Sequence, residues 1–226
     1  MPKPIVISNS KPKVLIYISD EQATVPLYLN KYFIAIFKSY LAESHDEEKI
    51  YPFPLGYHKD VPELQVIPIV ERTTDVFFSG DCEHDSRLSF YKELSPFRFV
   101  PDRVFYGMKK KIKKYFPRDC SNVFNNSIIN FTSGFSSGLS GDEYAKILYN
   151  SKIVLCPPGH SSVETFRHFE AMRAGCVVIT QRLSNTILYK DAPFIIVDNW
   201  GELRSIIKNL LRDPEKMKNI HFNTWM

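Results

Sequence analysis

The stretch that decides the fold is Ser151-Lys-Ile-Val-Leu-Cys-Pro-Pro-Gly159, His160-Ser-Ser-Val-Glu-Thr-Phe-Arg-His-Phe-Glu170 and Ala171-Met-Arg-Ala-Gly-Cys-Val-Val-Ile-Thr180. Lys152–Cys156 is a short β-branched run and reads as a strand, stopped by Pro157, Pro158 and Gly159. Residues 163–174 read as a helix, with Gly175 just past its end where a left-handed cap is wanted. Cys176–Thr180 is a second apolar run. Neither strand alternates polar with apolar residues, so both are covered on two faces. That is the mark of a parallel sheet in an α/β domain.

The same alternation extends both ways. Upstream, a strand at Val76–Ser79 ends at Gly80, and a helix is expected over Asp85–Leu94. A second helix over Pro101–Phe116 carries Lys109, Lys110, Lys111, Lys113 and Lys114, which read as a solvated face. Then come a strand at Ser127–Phe131, a Gly/Ser loop from Thr132 to Gly141 and a helix over Asp142–Asn150. Downstream, Phe194–Val197 reads as a strand and Gly201–Leu211 as a helix. The whole predicts a doubly wound, mainly parallel, Rossmann-like sheet. The N-terminal part differs: a strand at Lys13–Ile18, a helix over Leu27–Leu41 from its aromatic spacing, a charged loop at Ser44–Lys49, and an extended linker at Tyr51–Tyr57. The expected division is a partial segment, 1–51, and a complete domain, 52–226.

Composition narrows the class. The chain has 226 residues, 44% hydrophobic and 24% charged, with a net charge of +4. It is too apolar for a disordered chain, and its weak excess of positive charge, with one dense cluster at Lys109–Lys114, is smaller than a nucleic-acid binder usually shows. Cys82, Cys120, Cys156 and Cys176 form no CxxC pair, and His84, His160 and His168 have no metal-ligand spacing, so neither a metal site nor a cofactor is expected. There is no Walker A, GxGxxG or GxSxG motif. No secretory leader and no apolar run of membrane-spanning length is seen, which makes the cytoplasm the expected compartment.

In a doubly wound sheet, ligands sit at the carboxyl ends of the strands. The loop of Pro158, Gly159, His160, Ser161, Ser162 and Thr165 leads into a helix N-terminus, which binds phosphate well. Ser161 and Ser162 are placed to cap that helix and to donate to a phosphate. Arg167 has the fork that suits a diphosphate, and Glu170 stands where it reaches ribose hydroxyls. The alternative is that the serines only cap, while Arg167 and Glu170 pair with each other. Gly80 permits a close approach of ligand, and Arg87 heads toward the same diphosphate.

These residues carry a family resemblance. Ser151–Gly159, Thr165-Phe-Arg167 and Phe169-Glu-Ala-Met-Arg-Ala-Gly-Cys-Val-Val-Ile179 resemble the nucleotide-binding half of exostosin-type glycosyltransferases, with Val178 where that pattern usually has proline. Ile18-Ser-Asp-Glu21, Pro54–Tyr57 and Val76–Gly80 with Arg87 resemble further elements in the same order. The resemblance implies a GT-B enzyme that transfers a sugar from a UDP-sugar to a glycan hydroxyl, with inversion and without a metal. It implies that Arg87 and Arg167 neutralise the diphosphate, that Glu170 holds the ribose, and that a base comes from the N-terminal side, for which Asp20 and Glu21 are the carboxylates at hand. It also leaves room for a non-catalytic donor half, completed by a partner chain or by a second copy.

Overall fold

The structure is a computed structural model that describes residues 11–18, 24–42, 45–81, 84–108, 118–134, 137–160 and 162–225. Asp20, Glu21, Cys82, Ser161 and the lysine cluster Lys109–Lys114 lie outside the described residues. The chain forms two compact units, Met1–Leu55 with Leu183–Ala192, and Gly56–Arg182 with Pro193–Met226. The return of Leu183–Ala192 to the first unit has no counterpart in the continuous division read from sequence.

The first unit is a parallel sheet of β1 (Val14–Tyr17), β2 (Ala35–Lys38) and β3 (Ile50–Pro52), in that order. The helix expected over Leu27–Leu41 is absent: a single 3-10 turn at Leu27–Leu29 is followed by β2. The reason is pairing. Ile36 lies between Leu15 and Ile50 in register, and the buried face alternates with period two through Ile36 and Lys38. A short aromatic and β-branched run fits both periods, and the neighbouring strands select the extended one. The start of the expected linker is likewise a strand, β3. Lys38 is fully buried, with its ammonium on the Ser39 carbonyl at 3.0 Å and over the Tyr17 ring at 5.0 Å. The other face of this sheet is open: Val14 and Ile16, in register with Ala35 and Phe37, are 51% and 57% exposed.

The second unit is a five-stranded parallel sheet, ordered β5-β4-β6-β7-β8. Its strands are β4 (Thr74–Asp81), β5 (Ser127–Thr132), β6 (Ser151–Cys156), β7 (Val177–Thr180) and β8 (Ile195–Ile196). Successive residues feed opposite cores. Val76, Phe78, Ile153, Leu155, Val177 and Ile179 pack on one face, and Phe77, Val154, Cys156 and Val178 on the other. The first face is covered by α1 (Leu88–Leu94), α2 (Asp102–Gly107) and α5 (Leu203–Arg212). The second is covered by α3 (Gly141–Tyr149) and α4 (Phe166–Arg173). Burial on both faces is why the strand sequences are uniformly apolar. A last helix, α6 (Pro214–Trp225), was not expected from sequence. Among the described residues, no helix is long and apolar enough to cross a membrane.

The chain leaves β4 toward β5 and returns on the other side of β4 as β6, so the order reverses between β4 and β6. That switch point opens a crevice at the carboxyl ends of these two strands.

Two buried side chains fix α4. Arg72, 2% exposed, donates to Ile67 O at 3.2 Å, Ser151 O at 2.8 Å, Ala174 O at 2.7 Å and Cys176 Sγ at 3.3 Å. At the other end Thr165, not Ser161 or Ser162, is the N-cap, because its extended backbone (φ −141°, ψ 160°) turns directly into Phe166. His168 Nδ1 accepts from Thr165 N at 3.1 Å, so its Nε2 carries the proton and faces Thr180 Oγ1 at 2.8 Å. Burial lowers the His168 pKa to about 3 and keeps the ring neutral.

Arg72→Ala strips donors from several buried acceptors and is expected to lower unfolding stability by about 3 kcal/mol in urea titrations. The His168 ring predicts an acid-sensitive fold. The unfolded chain takes up a proton near pH 6.5 that the folded ring refuses down to about 3. Stability is therefore full above that range and falls as the pH drops, by up to about 1.4 kcal/mol per pH unit. Urea titrations at neutral and at mildly acidic pH measure it.

Candidate functional site

The crevice between β4 and β6 collects most of the residues singled out in the sequence. Gly80 and Asp81 end β4, and Pro157, Pro158, Gly159 and His160 follow β6. Arg167 lies on the first turn of α4. Its Nη2 donates to Ser79 O at 2.6 Å, and its guanidinium lies over the Phe78 ring at 4.8 Å. Gly80 makes this possible: a Cβ there would come within 2.7 Å of Arg167 Nη2. Arg167 Nε is buried with no hydrogen-bond partner. An orphaned guanidinium N–H at the switch point of a parallel sheet is costly unless an acceptor arrives.

Arg87 is 7% exposed and holds the loop. Its Nε donates to Pro158 O at 2.6 Å and its Nη1 to Asp81 O at 2.8 Å, with the Asp81 carboxylate 3.5 Å away. Ser86 Oγ donates to Gly159 O at 3.0 Å. His160 Nδ1 and His84 Nδ1 stand 2.8 Å apart, one donating and the other accepting. Three successive loop residues, 158 to 160, are thus tied to 84–87. Within the loop, Gly159 N donates to Ser162 O at 2.7 Å and Ser162 Oγ accepts from Glu164 N at 3.1 Å.

Glu170 is 4% exposed, and its Oε1 accepts from His58 N at 3.1 Å. The segment around His58 is fastened to α4 again by Arg173, which donates to Val61 O at 2.8 Å and stacks on Tyr57 at 3.9 Å. The buried phenol of Tyr144, on α3, lies close enough to Arg167 and Glu170 to feel both of their charges. Burial raises the Tyr144 phenol well above its ordinary range, so it stays protonated. Burial likewise raises the Cys156 thiol beneath the crevice, so it does not serve as a nucleophile. Tyr144 and His58 were not found from sequence, because neither sits in a motif and both reach the site from far along the chain. His168, beside Arg167 in sequence, turns away into the core. Among the described residues, no three His, Cys, Asp or Glu side chains gather where they would hold a metal ion.

A family model described as the RXYLT1 C-terminal domain matches residues 135–222. No curated relative matches the chain by sequence. Among solved structures, Anabaena Alr3699/HepE in complex with UDP is similar with a TM-score of 0.51 at 11% identity, over 95% of this chain and 66% of that one. The same protein in complex with UDP and glucose gives 0.50 at 12% identity, over 95% of this chain and 66% of that one. WaaG, a glycosyltransferase involved in lipopolysaccharide biosynthesis, gives 0.45 at 15% identity, over 93% of this chain and 57% of that one. The chain thus spans just under two thirds of the HepE length. Its mainly parallel sheets with flanking helices are the Rossmann-like architecture of the GT-B glycosyltransferases.

Proposed function

We propose that the chain is a GT-B glycosyltransferase that takes a nucleotide-diphosphate sugar, a UDP-sugar, at the β4–β6 crevice and passes the sugar to a glycan hydroxyl. The observation that carries this is Arg167: a guanidinium fixed at the switch point, with a buried Nε that has no partner. A phosphate oxygen is the acceptor it lacks. The HepE complexes with UDP support the same donor class.

The chemistry follows from charge. When the bond from the sugar to the diphosphate breaks, the diphosphate gains negative charge, and donors already in place lower that barrier without reorganising. Arg167 fills this role, so the reading needs no metal and no cofactor. Arg87 acts through the loop, holding Pro158, Gly159 and His160 under the phosphates, with Ser161, Ser162 and Thr165 completing the donor side. Inversion requires a base to take the proton of the acceptor hydroxyl as it attacks the anomeric carbon. Asp20 or Glu21 is proposed for it.

A second reading has its own support. The open apolar face of the first unit, with Val14 and Ile16 more than half exposed, suits a chain that is completed by another. In that case the chain binds the donor but turns it over only with a partner present.

Thermal-shift and calorimetric titrations against UDP, GDP, CMP and ADP test the proposal. UDP at about 100 times its dissociation constant is expected to stabilise the fold by about 2.7 kcal/mol. Arg167→Ala should abolish that shift. Absence of binding by every nucleoside diphosphate would sink the proposal. Gly80→Ala is expected to displace the guanidinium and weaken UDP binding about tenfold, the scale of one charged hydrogen bond, with little change in melting temperature. Binding of a UDP-sugar with neither hydrolysis nor transfer favours the second reading.

A further inference from the structure

The residues from Arg98 to Arg118 hold eight cations and one carboxylate, a net charge of +7 in a chain whose total is +4. The rest of the chain is therefore net negative, at −3. The one carboxylate, Asp102, is already held by Lys92 Nζ at 2.5 Å. The same segment is apolar at its surface. Phe99, at the end of a 3-10 turn, is 87% exposed. Val104 and Tyr106 on α2, and Met108 just past it, are 48%, 39% and 37% exposed. We propose that this surface, basic and apolar together, seats the chain on a lipid bilayer that carries anionic headgroups. None of its residues belongs to the β4–β6 crevice, so the proposal stands apart from the donor-binding reading.

A surface helix ordinarily turns its polar residues to water and its apolar ones to the core. In α2 Phe105 is the one buried residue, with its ring centroid 6.1 Å from that of Phe97. Val104 and Met108, four apart, lie to one side of Phe105 and Tyr106 to the other. Arg103, two positions before Phe105, falls opposite it and is exposed, with no ion pair among the described residues. Arg98 is shared between Glu93, at 3.3 Å, and the Phe99 ring, at 5.3 Å. The chain runs from Met108 into the lysine cluster Lys109–Lys114, which lies outside the described residues and contributes here by its charge alone. Beyond it, Arg118 is exposed, and its carbonyl accepts from Phe131 N on β5 at 2.7 Å.

Both properties suit an anionic bilayer. Each Lys or Arg near such a surface strengthens binding about fivefold. Apolar side chains that enter the boundary between headgroups and acyl chains add to that attraction. Arginine keeps its charge at headgroup level while its stem lies along apolar surface, and tyrosine does the same with its ring and hydroxyl. Nucleic acid fits less well, because Val104 and Met108 offer no flat face on which a base can stack.

Vesicle co-sedimentation of the full chain tests the proposal. The vesicles are phosphatidylcholine alone, or phosphatidylcholine with about a third phosphatidylserine, at ionic strengths of about 0.1 M and 1 M. The variants are F99S/M108S, R103S/R118S and, as a control on the open face of the first unit, V14S/I16S, each with its melting temperature and its UDP titration. The wild type is expected to sediment with the anionic vesicles, at least tenfold more tightly than with the neutral ones, and to be released by salt. F99S/M108S keeps every charge and is expected to bind about tenfold more weakly. R103S/R118S is expected to lose about 25-fold, the product of two fivefold steps. V14S/I16S is expected to bind like the wild type, and all three variants to keep the melting temperature and UDP titration of the wild type.

The proposal is overturned if the wild type sediments with neither vesicle, or equally with both. It is also overturned if F99S/M108S binds like the wild type, which would leave an attraction by charge alone, or if V14S/I16S is the variant that loses binding. Tighter binding to a single-stranded oligonucleotide than to the anionic vesicles would overturn it in favour of nucleic acid. A wild type that sediments as expected but does not bind UDP leaves this proposal standing and sinks only the reading of the crevice.

Discussion

Four acceptors from distant parts of the chain converge on one buried cation. Arg72 binds the Ile67 carbonyl before β4, Ser151 at the start of β6, Ala174 at the end of α4 and the Cys176 sulfur before β7. A guanidinium has five N–H groups in one plane, so this arrangement is met only when all the segments are in their final places. Its first effect is on the axis of α4. The helix is gripped at its carboxyl end by Arg72 and at its amino end by the Thr165–His168 cap, which leaves it little freedom to slide. Arg167 and Glu170 inherit that precision.

The crevice is built from two kinds of arginine with different duties. Arg72 and Arg87 are nearly wholly buried and bind mostly backbone carbonyls, so they set the shape of the chain. Arg167 is less enclosed, and its buried Nε–H has no partner. The contrast explains why an arginine in a phosphate-shaped loop is a poor guide on its own. In sequence, Arg87 and Arg167 make the same promise. In the fold, Arg87 is engaged by Pro158 and Asp81, and Arg167 alone faces the switch point with capacity to spare.

How much the amino-acid sequence revealed depended on how local each signal was. The stretch from 151 to 180 contains its own strand, turn, helix and strand, and its uniformly apolar runs identify a sheet covered on both faces. Gly80, Arg167 and the loop after Cys156 followed from that. The segment around Ile36 was misread because its aromatic spacing satisfies a helix, and only the adjacent strands at Leu15 and Ile50 make it extended. Thr165 displaced the serines as cap because the backbone turns later than their hydroxyls suggested. The return of Leu183–Ala192 to the first unit, and the nearness of Tyr144 to Arg167 and Glu170, are long-range facts. Nothing within ten residues of Tyr144 announces these neighbours.

Gly80 has a consequence that concerns sequence variation. Its lack of a side chain is required by the flat end of Arg167, so the two positions are not free to drift separately. Any residue with a Cβ at 80 needs a shorter or differently directed cation at 167, and a shorter cation at 167 removes the reason for glycine at 80. The pair is separated by 87 positions in the chain, yet it behaves as a single unit of inheritance. Related chains that share this crevice are expected to keep both residues or to change both together.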